Sequence, residues 1–343
     1  MAQDPIRKLF VGCFKSYKKL GGTYNEYFHQ VTCNTLPDIR GSRFMSKQVA
    51  MTIGKTLHCR TEKNYIIDNT RVSLNVYSKN KYTNIDDIVN VLNFYIFTLN
   101  RSGPKSHEPV VNITLYLTSL KKMFPAKLNS VIGVNNVNSG VTVFNQDNRY
   151  IVLYRKEELF KVLLHELIHF YRIDFHEYDN AYDDYFIGAY NISVKDPPKN
   201  MKNPLALFES YTETLACYGH LLTRYLFKGI KVDTESIEKA LKKETIHYRK
   251  QAAKVLIFGG LSEDTHVFSY YVAKAAVYSN WSVFCNLLNH QGIRIDTDTK
   301  RDAYLEMLKQ IISDEFIENL RNTKIPNISK IPLSTLRMTK LTW

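Results

Sequence analysis

The chain has 343 residues, which is enough for one large domain or two of ordinary size. Its composition, 44% hydrophobic and 23% charged, is typical of a globular protein and excludes an intrinsically disordered one. The formal net charge of +13 favours acidic partners such as nucleic acid, an anionic membrane or an acidic protein. Because the basic residues are spread in short groups, a generally basic, solvated surface explains this charge as well.

The five cysteines are widely spaced and include no C-x-x-C pair. This spacing argues against a disulfide scaffold and against a cysteine-built zinc site, and it predicts a reducing compartment. The N-terminus lacks a charged segment followed by an apolar core, and apolar stretches such as 89–99 are too short to cross a bilayer. We therefore expect an intracellular, soluble protein without a signal peptide, a transmembrane segment or a disulfide pattern, and its oligomeric state stays open.

Residues 1–105 are predicted to form a mixed α/β region. A weakly helical pattern covers 6–20, the alternation over 72–77 indicates a strand, and the acidic start and apolar spacing of 86–99 indicate a helix. The segment 101–106, which is rich in Gly, Pro and Ser, is the best linker candidate, so we place a boundary after residue 105.

Strands are predicted between residues 109 and 154. The segment 110–117 is β-branched and partly alternating, and 140–144 and 150–154 flank a turn and could form a hairpin. Helices are predicted beyond this sheet, over 156–174, 205–227, 233–258, 262–278 and 301–320.

The strongest chemical signal is the H-E-L-I-H sequence at residues 165–169, inside an apolar, helix-patterned run. Residues four apart lie on one helix face, so His165 and His169 can bind one zinc ion. Glu166 lies beside them and can accept a proton. A zinc hydrolase also needs a third protein ligand and an open position for water, and the third ligand has to come from elsewhere in the chain.

His176 is the nearest candidate for the third ligand. It lies seven residues beyond His169, a rise of roughly 10 Å along a continuing helix, which is too far to share one metal ion. Metzincins solve this with a glycine that turns the chain, but Arg172 stands at that position and Phe175 stands where their last histidine would be. The sequence therefore favours a solvated histidine near a helix end.

The predicted helix 205–227 offers a better source. Glu209 and Glu213 are four residues apart and share one face of a mostly apolar helix. Burying two carboxylates is costly without a cation or hydrogen-bond donors, and a zinc ion held by two histidines would supply the charge. The alternative is that one or both glutamates face water.

A helix bearing H-E-x-x-H followed by a helix bearing a glutamate resembles the gluzincins, the thermolysin-like metallopeptidases, over roughly residues 140–218. In many gluzincins the ligand glutamate is followed by x-x-Ala and then by an aromatic residue, and the segment 213–218 has this pattern. After Glu209, in contrast, Thr212 stands at the alanine position. The resemblance implies Glu213 as the ligand. Some gluzincins instead place an orienting acid four residues beyond the ligand, which would make Glu209 the ligand and Glu213 the partner of a histidine ring.

The resemblance implies an α+β fold with a zincin-like catalytic core, in which a small twisted sheet lies beside a metal-bearing helix. Residues 106–343 would form this domain, with the sheet at 109–154, metal helices at 156–174 and 205–227, and a helical C-terminal subdomain at 233–343. In zincins an edge strand pairs with an extended peptide, a part that 140–144 or 150–154 could play, although an ordinary core hairpin is the alternative.

We therefore expect a zinc-dependent metalloendopeptidase acting on protein or peptide substrates. A zinc-activated water would attack the peptide carbonyl, with Glu166 as the general base that then delivers the proton to the leaving amine. Gluzincins often stabilise the oxyanion with a His or Tyr outside the motif. His266 and Tyr270, one turn apart in the predicted helix 262–278, are the candidates, and plain aromatic packing is their alternative.

The second function left open is a basic structural or nucleic-acid-associated protein that retains a non-proteolytic zincin fold. Glu166 favours the enzyme, because a structural zinc site has no need of a base. The charge of +13 is the only feature that favours the alternative. A coincidental H-E-x-x-H sequence is the third interpretation.

Overall fold

The chain adopts a mixed α+β fold in the computed structural model, in which a six-stranded sheet is covered by helices. The structure describes residues 4–22, 24–35, 37–38, 45–82, 84–103, 109–128, 130–144, 149–192, 194–195, 203–258, 261–262, 265–325, 330–332 and 334–343. The strands are β1 (Asn25–Cys33), β2 (Cys59–Ile67), β3 (Thr70–Ser78), β4 (Val110–Tyr116), β5 (Gly140–Phe144), β6 (Arg149–Leu153), β7 (Val194–Lys195) and β8 (Leu261–Ser262).

Helices alternate with the strands in the first half of the chain and dominate the second half. They are α1 (Pro5–Lys19), α2 (Lys47–Thr56), α3 (Ile85–Leu99), α4 (Val134–Val137), α5 (Leu159–Phe170), α6 (Ala181–Tyr190), α7 (Phe208–Phe227), α8 (Thr234–Phe258), α9 (Lys274–Ser279), α10 (Trp281–Gln291), α11 (Asp298–Ile311) and α12 (Asp314–Arg321). A π-helix over Phe268–Ala273 leads directly into α9.

The large sheet has the strand order β1-β2-β3-β4-β6-β5. Strand β2 pairs antiparallel with both β1 and β3, and β4 pairs parallel with both β3 and β6. Strand β5, at the edge of the sheet, pairs antiparallel with β6. The predicted hairpin is therefore confirmed, and no strand in the described part of the chain pairs with the outer edge of β5. The sheet also continues across the predicted boundary after residue 105, which itself falls among residues 104–108, outside the described part.

The helix predictions hold best where the apolar pattern is strong. The predicted 156–174 and 205–227 correspond to α5 and α7, and 233–258 corresponds to α8. Two predictions need correction. The predicted 301–320 is two helices, because Ser313 caps the start of α12 by accepting a hydrogen bond from the Phe316 amide. The predicted 262–278 starts later, at the π-helix.

Close packing of α7 against α5 and α1 sets the geometry of the candidate site described below. At Gly219 on α7 a Cβ atom would lie 2.7 Å from both Leu164 Cδ2 and Phe10 Cζ, so the helices approach at the distance that only a glycine permits. Leu164 and Phe10 are both buried, which leaves them little room to move.

Gly219→Ala is therefore expected to lower the free energy of unfolding by about 1–3 kcal/mol through overpacking. Urea denaturation measures this effect. Gly188→Ala is the matched control: Gly188 lies on the exposed side of α6, a Cβ there meets nothing within 4 Å, and alanine favours helix, so stability should stay level or rise. Equal stability of the wild type and Gly219→Ala would contradict this description of the packing.

Cysteine pairing differs from the sequence-based expectation. Cys33 at the end of β1 faces Cys59 at the start of β2, and the two form a disulfide, whereas Cys13, Cys217 and Cys285 are free and buried. The spacing along the chain could not reveal this pair, because it depends on the register of two strands. A separate finding concerns hydropathy: within the described ranges, no helix has both the length and the apolar character needed to cross a bilayer.

Candidate metal centre

Helix α5 carries the H-E-L-I-H residues into the interior. Its leucines at 163, 164 and 167 are buried in the main core, and Leu164 packs against α7 at Gly219. His165, Glu166 and His169 are 6%, 5% and 7% exposed, so the three polar side chains form the floor of a cleft instead of a solvated helix face. Polar side chains buried to this extent need hydrogen-bond or ionic partners, and glutamates on α7 contact the two histidines.

Three ligand-type atoms converge between α5 and α7. The Nε2 atoms of His165 and His169 lie 3.1 Å apart. Oε2 of Glu209 lies 3.1 Å from Nε2 of His165 and 3.3 Å from Nε2 of His169. This oxygen is buried and makes no hydrogen bond of ordinary geometry with any described residue. The three atoms therefore form a nearly equilateral triangle that faces the cleft.

Glu213 lies on the far side of His165. Its Oε2 is 3.0 Å from Nδ1 of His165, and its carboxylate also accepts from the ammonium groups of Lys161 and Lys274 at 3.0 and 3.2 Å. A carboxylate in this position orients the ring and leaves Nε2 to a metal ion. The carboxylate that lies beside both Nε2 atoms is thus that of Glu209, whereas Glu213, the residue favoured by the sequence, contacts Nδ1 of His165.

The second histidine has its own orienting carboxylate. Asp174 Oδ2 lies 2.6 Å from Nδ1 of His169 and also accepts from the hydroxyl of Thr212 at 2.8 Å. The chain reaches this position because α5 ends at Phe170 and Arg172 turns it with a left-handed φ of +51°. The sequence interpretation missed Asp174, because it treated the helix as continuing to residue 174.

Charges around the two rings fix their tautomers. Burial alone would raise the pKa of Glu213, but Lys161 and Lys274 hold it well below its usual range, and His169 likewise lowers the pKa of buried Asp174. Both carboxylates are therefore ionised and can only accept, so each Nδ1 donates a hydrogen bond. Burial would lower the pKa of both rings, but Glu209 and Glu213 raise the pKa of His165, and Asp174 and Glu209 raise the pKa of His169 well above its usual value, so a proton competes with a metal ion for the Nε2 atoms. The two Nε2 atoms, 3.1 Å apart beside a carboxylate, therefore need either a proton or a metal ion between them.

Glu166 is held at the edge of this triangle by β5. The hydroxyl of Thr142 lies 2.8 Å from Oε2 of Glu166 and 2.8 Å from its backbone oxygen. A Cβ atom at Gly140 would lie 3.0 Å from Oε1 of Glu166, so the strand approaches the carboxylate closely because residue 140 has no side chain. Burial raises the pKa of Glu166, as suits a group that must gain a proton during a reaction. Neither Thr142 nor Gly140 was singled out from the sequence.

The cleft above these groups has a volume of about 360 Å³. The edge strand β5 forms one wall and Phe208 with Glu209 forms the other, so the outer strand of the hairpin lines the cleft as one sequence interpretation expected. His266 and Tyr270 also reach it. The Tyr270 ring lies 5.9 Å from the His165 ring, and burial together with the neighbouring carboxylates raises the pKa of Tyr270, so its hydroxyl stays a donor.

His176 lies in the same cleft, although it is not one of the three converging ligands. The turn at Arg172 brings its ring to 5.8 Å from the ring of His169, with Nε2 at 4.0 Å from Oδ1 of Asp174. Its side chain is 43% exposed. The prediction that His176 is solvent-exposed is thus confirmed, but the ring also lines the cleft, which the sequence did not predict.

No protein-family model, no curated protein and no solved structure matches this chain. The site is therefore classified by its own geometry, as two imidazoles and one carboxylate beside a second, protonatable carboxylate, that of Glu166.

Proposed function

We propose that this protein is a zinc-dependent metallopeptidase of the gluzincin type, with a zincin-like catalytic core. The observation that carries the proposal is the triangle of His165, His169 and Glu209, with Glu166 one residue from the first ligand and facing the same cleft. Zinc bonds of about 2.0–2.2 Å in tetrahedral geometry separate neighbouring ligands by about 3.4 Å, close to the 3.1–3.3 Å between these atoms.

The charge of the buried network is compatible with a divalent ion. The contacting buried network contains two ammonium groups and four carboxylates: Lys161, Lys274, Glu166, Glu209, Glu213 and Asp174. With two neutral histidines this network would have an excess of two negative charges, which either two protons on the rings or a divalent cation in their place would compensate. A divalent cation between the ligands removes the excess. The adjacent buried pair of Lys122 and Glu158, 3.0 Å apart, is neutral by itself and does not alter the balance.

Different residues of the chain have different proposed roles in peptide hydrolysis. A zinc ion, when bound, would polarise the substrate carbonyl and make a water molecule acidic. Glu166 accepts the proton of that water through Oε1 or Oε2 and then donates it to the leaving amine, a role its raised pKa favours. Tyr270 and His266 line the wall of the cleft and are the donors proposed to stabilise the oxyanion.

The free edge of β5 supports a peptide as the substrate. An extended segment can add to this edge as a further strand, with main-chain hydrogen bonds fixing its register over the metal ligands. The close approach of Gly140 to Glu166 places this edge beside the proposed base. A protein or peptide in an extended conformation is accordingly the proposed substrate class.

Metal removal tests the proposal in solution. A peptide library should be cleaved by the wild type, and 1,10-phenanthroline should abolish cleavage because it strips the zinc that the three ligands hold. Added zinc should restore it. The isomer 1,7-phenanthroline has similar size but cannot chelate, so it serves as the matched control and should leave cleavage unchanged. Cleavage that persists in 1,10-phenanthroline, after loss of all metal, would exclude the metal-dependent reaction.

Thr142→Val should leave the Glu166 carboxylate in place but remove the hydroxyl that positions it. A poorly positioned base is expected to lower kcat by roughly tenfold. Because the Thr142 hydroxyl lowers the pKa of Glu166, its loss should also move the acid limb of the rate profile to higher pH. Rates across pH measure both effects. Thr61→Val, the same change at a buried site in β2, is the control and should alter neither; an unchanged pH profile in Thr142→Val would contradict the role of this contact.

A further inference from the structure

A strained turn immediately precedes the helix that carries Glu209. Ala206 has a φ of +44°, in the left-handed region that residues with a Cβ atom rarely adopt. It is 1% exposed, and it lines the cleft beside Phe208. Backbone strain of this kind persists only where the surrounding structure maintains it, and it is frequent at functional sites. The contacts that maintain the conformation of Ala206 are therefore candidates for a role at the metal centre.

The backbone of Ala206 is bonded directly to that of Glu209. The oxygen of Ala206 accepts from the amide of Glu209 at 2.9 Å, and the amide of Ala206 donates to the backbone oxygen of Asn203 at 3.1 Å. Glu209 lies in the first turn of α7. A change in the dihedral angles of Ala206 would therefore move the backbone of Glu209, and with it the carboxylate oxygen that lies 3.1 and 3.3 Å from the two Nε2 atoms.

Two buried side chains bind the amides on either side of Ala206. The amide of Leu205 donates to Oδ2 of Asp183 at 2.9 Å, and the amide of Leu207 donates to the hydroxyl oxygen of Tyr178 at 2.8 Å. The Tyr178 hydroxyl donates in turn to Oδ1 of Asp183 at 2.6 Å. The two side chains and the turn thus form a closed ring of hydrogen bonds around Ala206.

The start of α7 depends on this ring because its own N-cap residue cannot supply a side-chain cap. The N-cap is Leu207, whose apolar side chain accepts no hydrogen bond. The first amides of a helix have no intrahelical partner, and here the Tyr178 hydroxyl satisfies the amide of Leu207. A residue outside the helix therefore caps it, from the segment between α5 and α6.

Further contacts fix the pair and the turn in place. Nδ2 of Asn203 donates to the backbone oxygen of Tyr178 at 3.1 Å, and the hydroxyl of Ser269 donates to the backbone oxygen of Leu205 at 2.7 Å. Asp183 and Tyr178 are 0% and 3% exposed. Because both are buried, loss of either polar group would leave a buried partner without its hydrogen bond.

We propose that Tyr178 and Asp183 are positioning residues for Glu209. Their hydrogen bonds maintain the strained turn at Ala206, and the turn places the Glu209 carboxylate beside the two histidines. They act through the backbone of residues 205–207, since their bonds go to that backbone and to each other. The role of the pair in metal binding rests on the proposed metallopeptidase function, whereas its hold on the turn is a property of the metal-free protein.

The variant Tyr178→Phe tests this role, because it removes the hydroxyl and keeps the ring. In the metal-free protein, the amides of residues 205–207 should exchange with deuterated water faster by about tenfold or more, since the turn opens more readily. The zinc affinity, measured by competition with a chromophoric chelator, should fall by about 10–100-fold, as is usual when a partner outside the ligand set is lost. Circular dichroism shows whether the variant is folded.

Asp183→Asn is a second variant that does not depend on the folding of the first. The amide oxygen can accept only one of the two bonds that the carboxylate accepts, so losses of the same sign are expected in amide exchange and in zinc affinity.

Tyr190→Phe is the matched control for Tyr178→Phe. It also removes a buried tyrosine hydroxyl, but this hydroxyl donates to the backbone oxygen of Ile312 and not to the turn. Its zinc affinity and the exchange of amides 205–207 should stay within about twofold of the wild type, as expected for a site that shares no partner with the turn.

A glycine at position 206 separates a role in maintaining strain from a general loss of stability. Glycine adopts a positive φ without the penalty of a Cβ atom, so the turn should need the Tyr178 hydroxyl less. Adding Ala206→Gly to Tyr178→Phe should therefore raise the zinc affinity by about twofold or more over Tyr178→Phe alone.

Three results would each overturn the proposal: wild-type exchange and zinc affinity in Tyr178→Phe, equal losses in Tyr190→Phe, or no recovery when Ala206→Gly is added. A wild-type protein that binds no zinc would instead refute the metal centre. The exchange measurements, made without metal, would then still decide whether Tyr178 and Asp183 maintain the turn.

Discussion

Replacing Glu166 with glutamine is expected to abolish peptide hydrolysis while the protein keeps its zinc. The amide retains the size of the side chain and its contact with the Thr142 hydroxyl, but it cannot accept the proton of the attacking water. Loss of a general base lowers kcat by about 10²–10⁴-fold. Cleavage of a library-derived peptide and the zinc content of the same sample measure the two halves of this prediction.

Glu177→Gln is the control for this variant, because Glu177 also lines the cleft but lies away from the ligand triangle. It should cleave at close to the wild-type rate. Substantial cleavage by Glu166→Gln would remove Glu166 from the reaction, whereas loss of zinc from this variant would mean that its carboxylate has a structural role in the metal centre.

The variants Glu209→Gln and Glu213→Gln are expected to differ in whether they lose mainly zinc affinity or mainly stability. With the proposed ligand set, Glu209→Gln loses a charged ligand, so its zinc affinity should fall furthest. Glu213→Gln keeps all three proposed ligands but loses the partner of His165, and changes of this kind cost about 10–100-fold in metal affinity. It also leaves Lys161 and Lys274 buried without their shared carboxylate, and such uncompensated burial costs about 3–5 kcal/mol of stability.

Competition with a chromophoric chelator measures the zinc affinities, and urea denaturation of the metal-free proteins measures stability. The expected pattern is crossed: Glu209→Gln loses more zinc affinity, and Glu213→Gln loses more stability. The reverse pattern, with zinc lost mainly from Glu213→Gln, would favour Glu213 as the third ligand and contradict the proposed role of Glu209.

The local parts of the centre follow from the sequence because they depend on helical periodicity. The spacing of His165, Glu166 and His169 on an apolar helix and the carboxylate pair on α7 are both visible in the residues. The choice between Glu209 and Glu213 is not, because both share one helix face. Which of the two glutamates reaches both histidines depends on the axial position of α7 relative to α5, and that position depends on packing at contacts such as Gly219.

Other features depend on turns and on strand pairing. Asp174 reaches His169 only because the chain turns at Arg172, a residue without the usual preference for a left-handed φ. Strand β1 is largely exposed on both faces, so it shows no alternation, and neither it nor its disulfide to β2 was predicted. The break between α11 and α12 did have a signal, since Ser313 precedes two acidic residues in the pattern of a helix start.

The alternative of a basic nucleic-acid-associated protein still rests on the net charge alone. It predicts binding to DNA or RNA that weakens steeply as salt rises. A flat titration at low salt would leave the metal centre as the feature that accounts for the buried charges.

A crystal structure of the zinc-loaded protein, with diffraction recorded at the zinc absorption edge, tests the central claim most directly. We expect one anomalous peak between α5 and α7, at about 2.0–2.2 Å from Nε2 of His165, Nε2 of His169 and the carboxylate of Glu209. The absence of a peak there after zinc loading, or a peak bonded to Glu213 instead of Glu209, would contradict it.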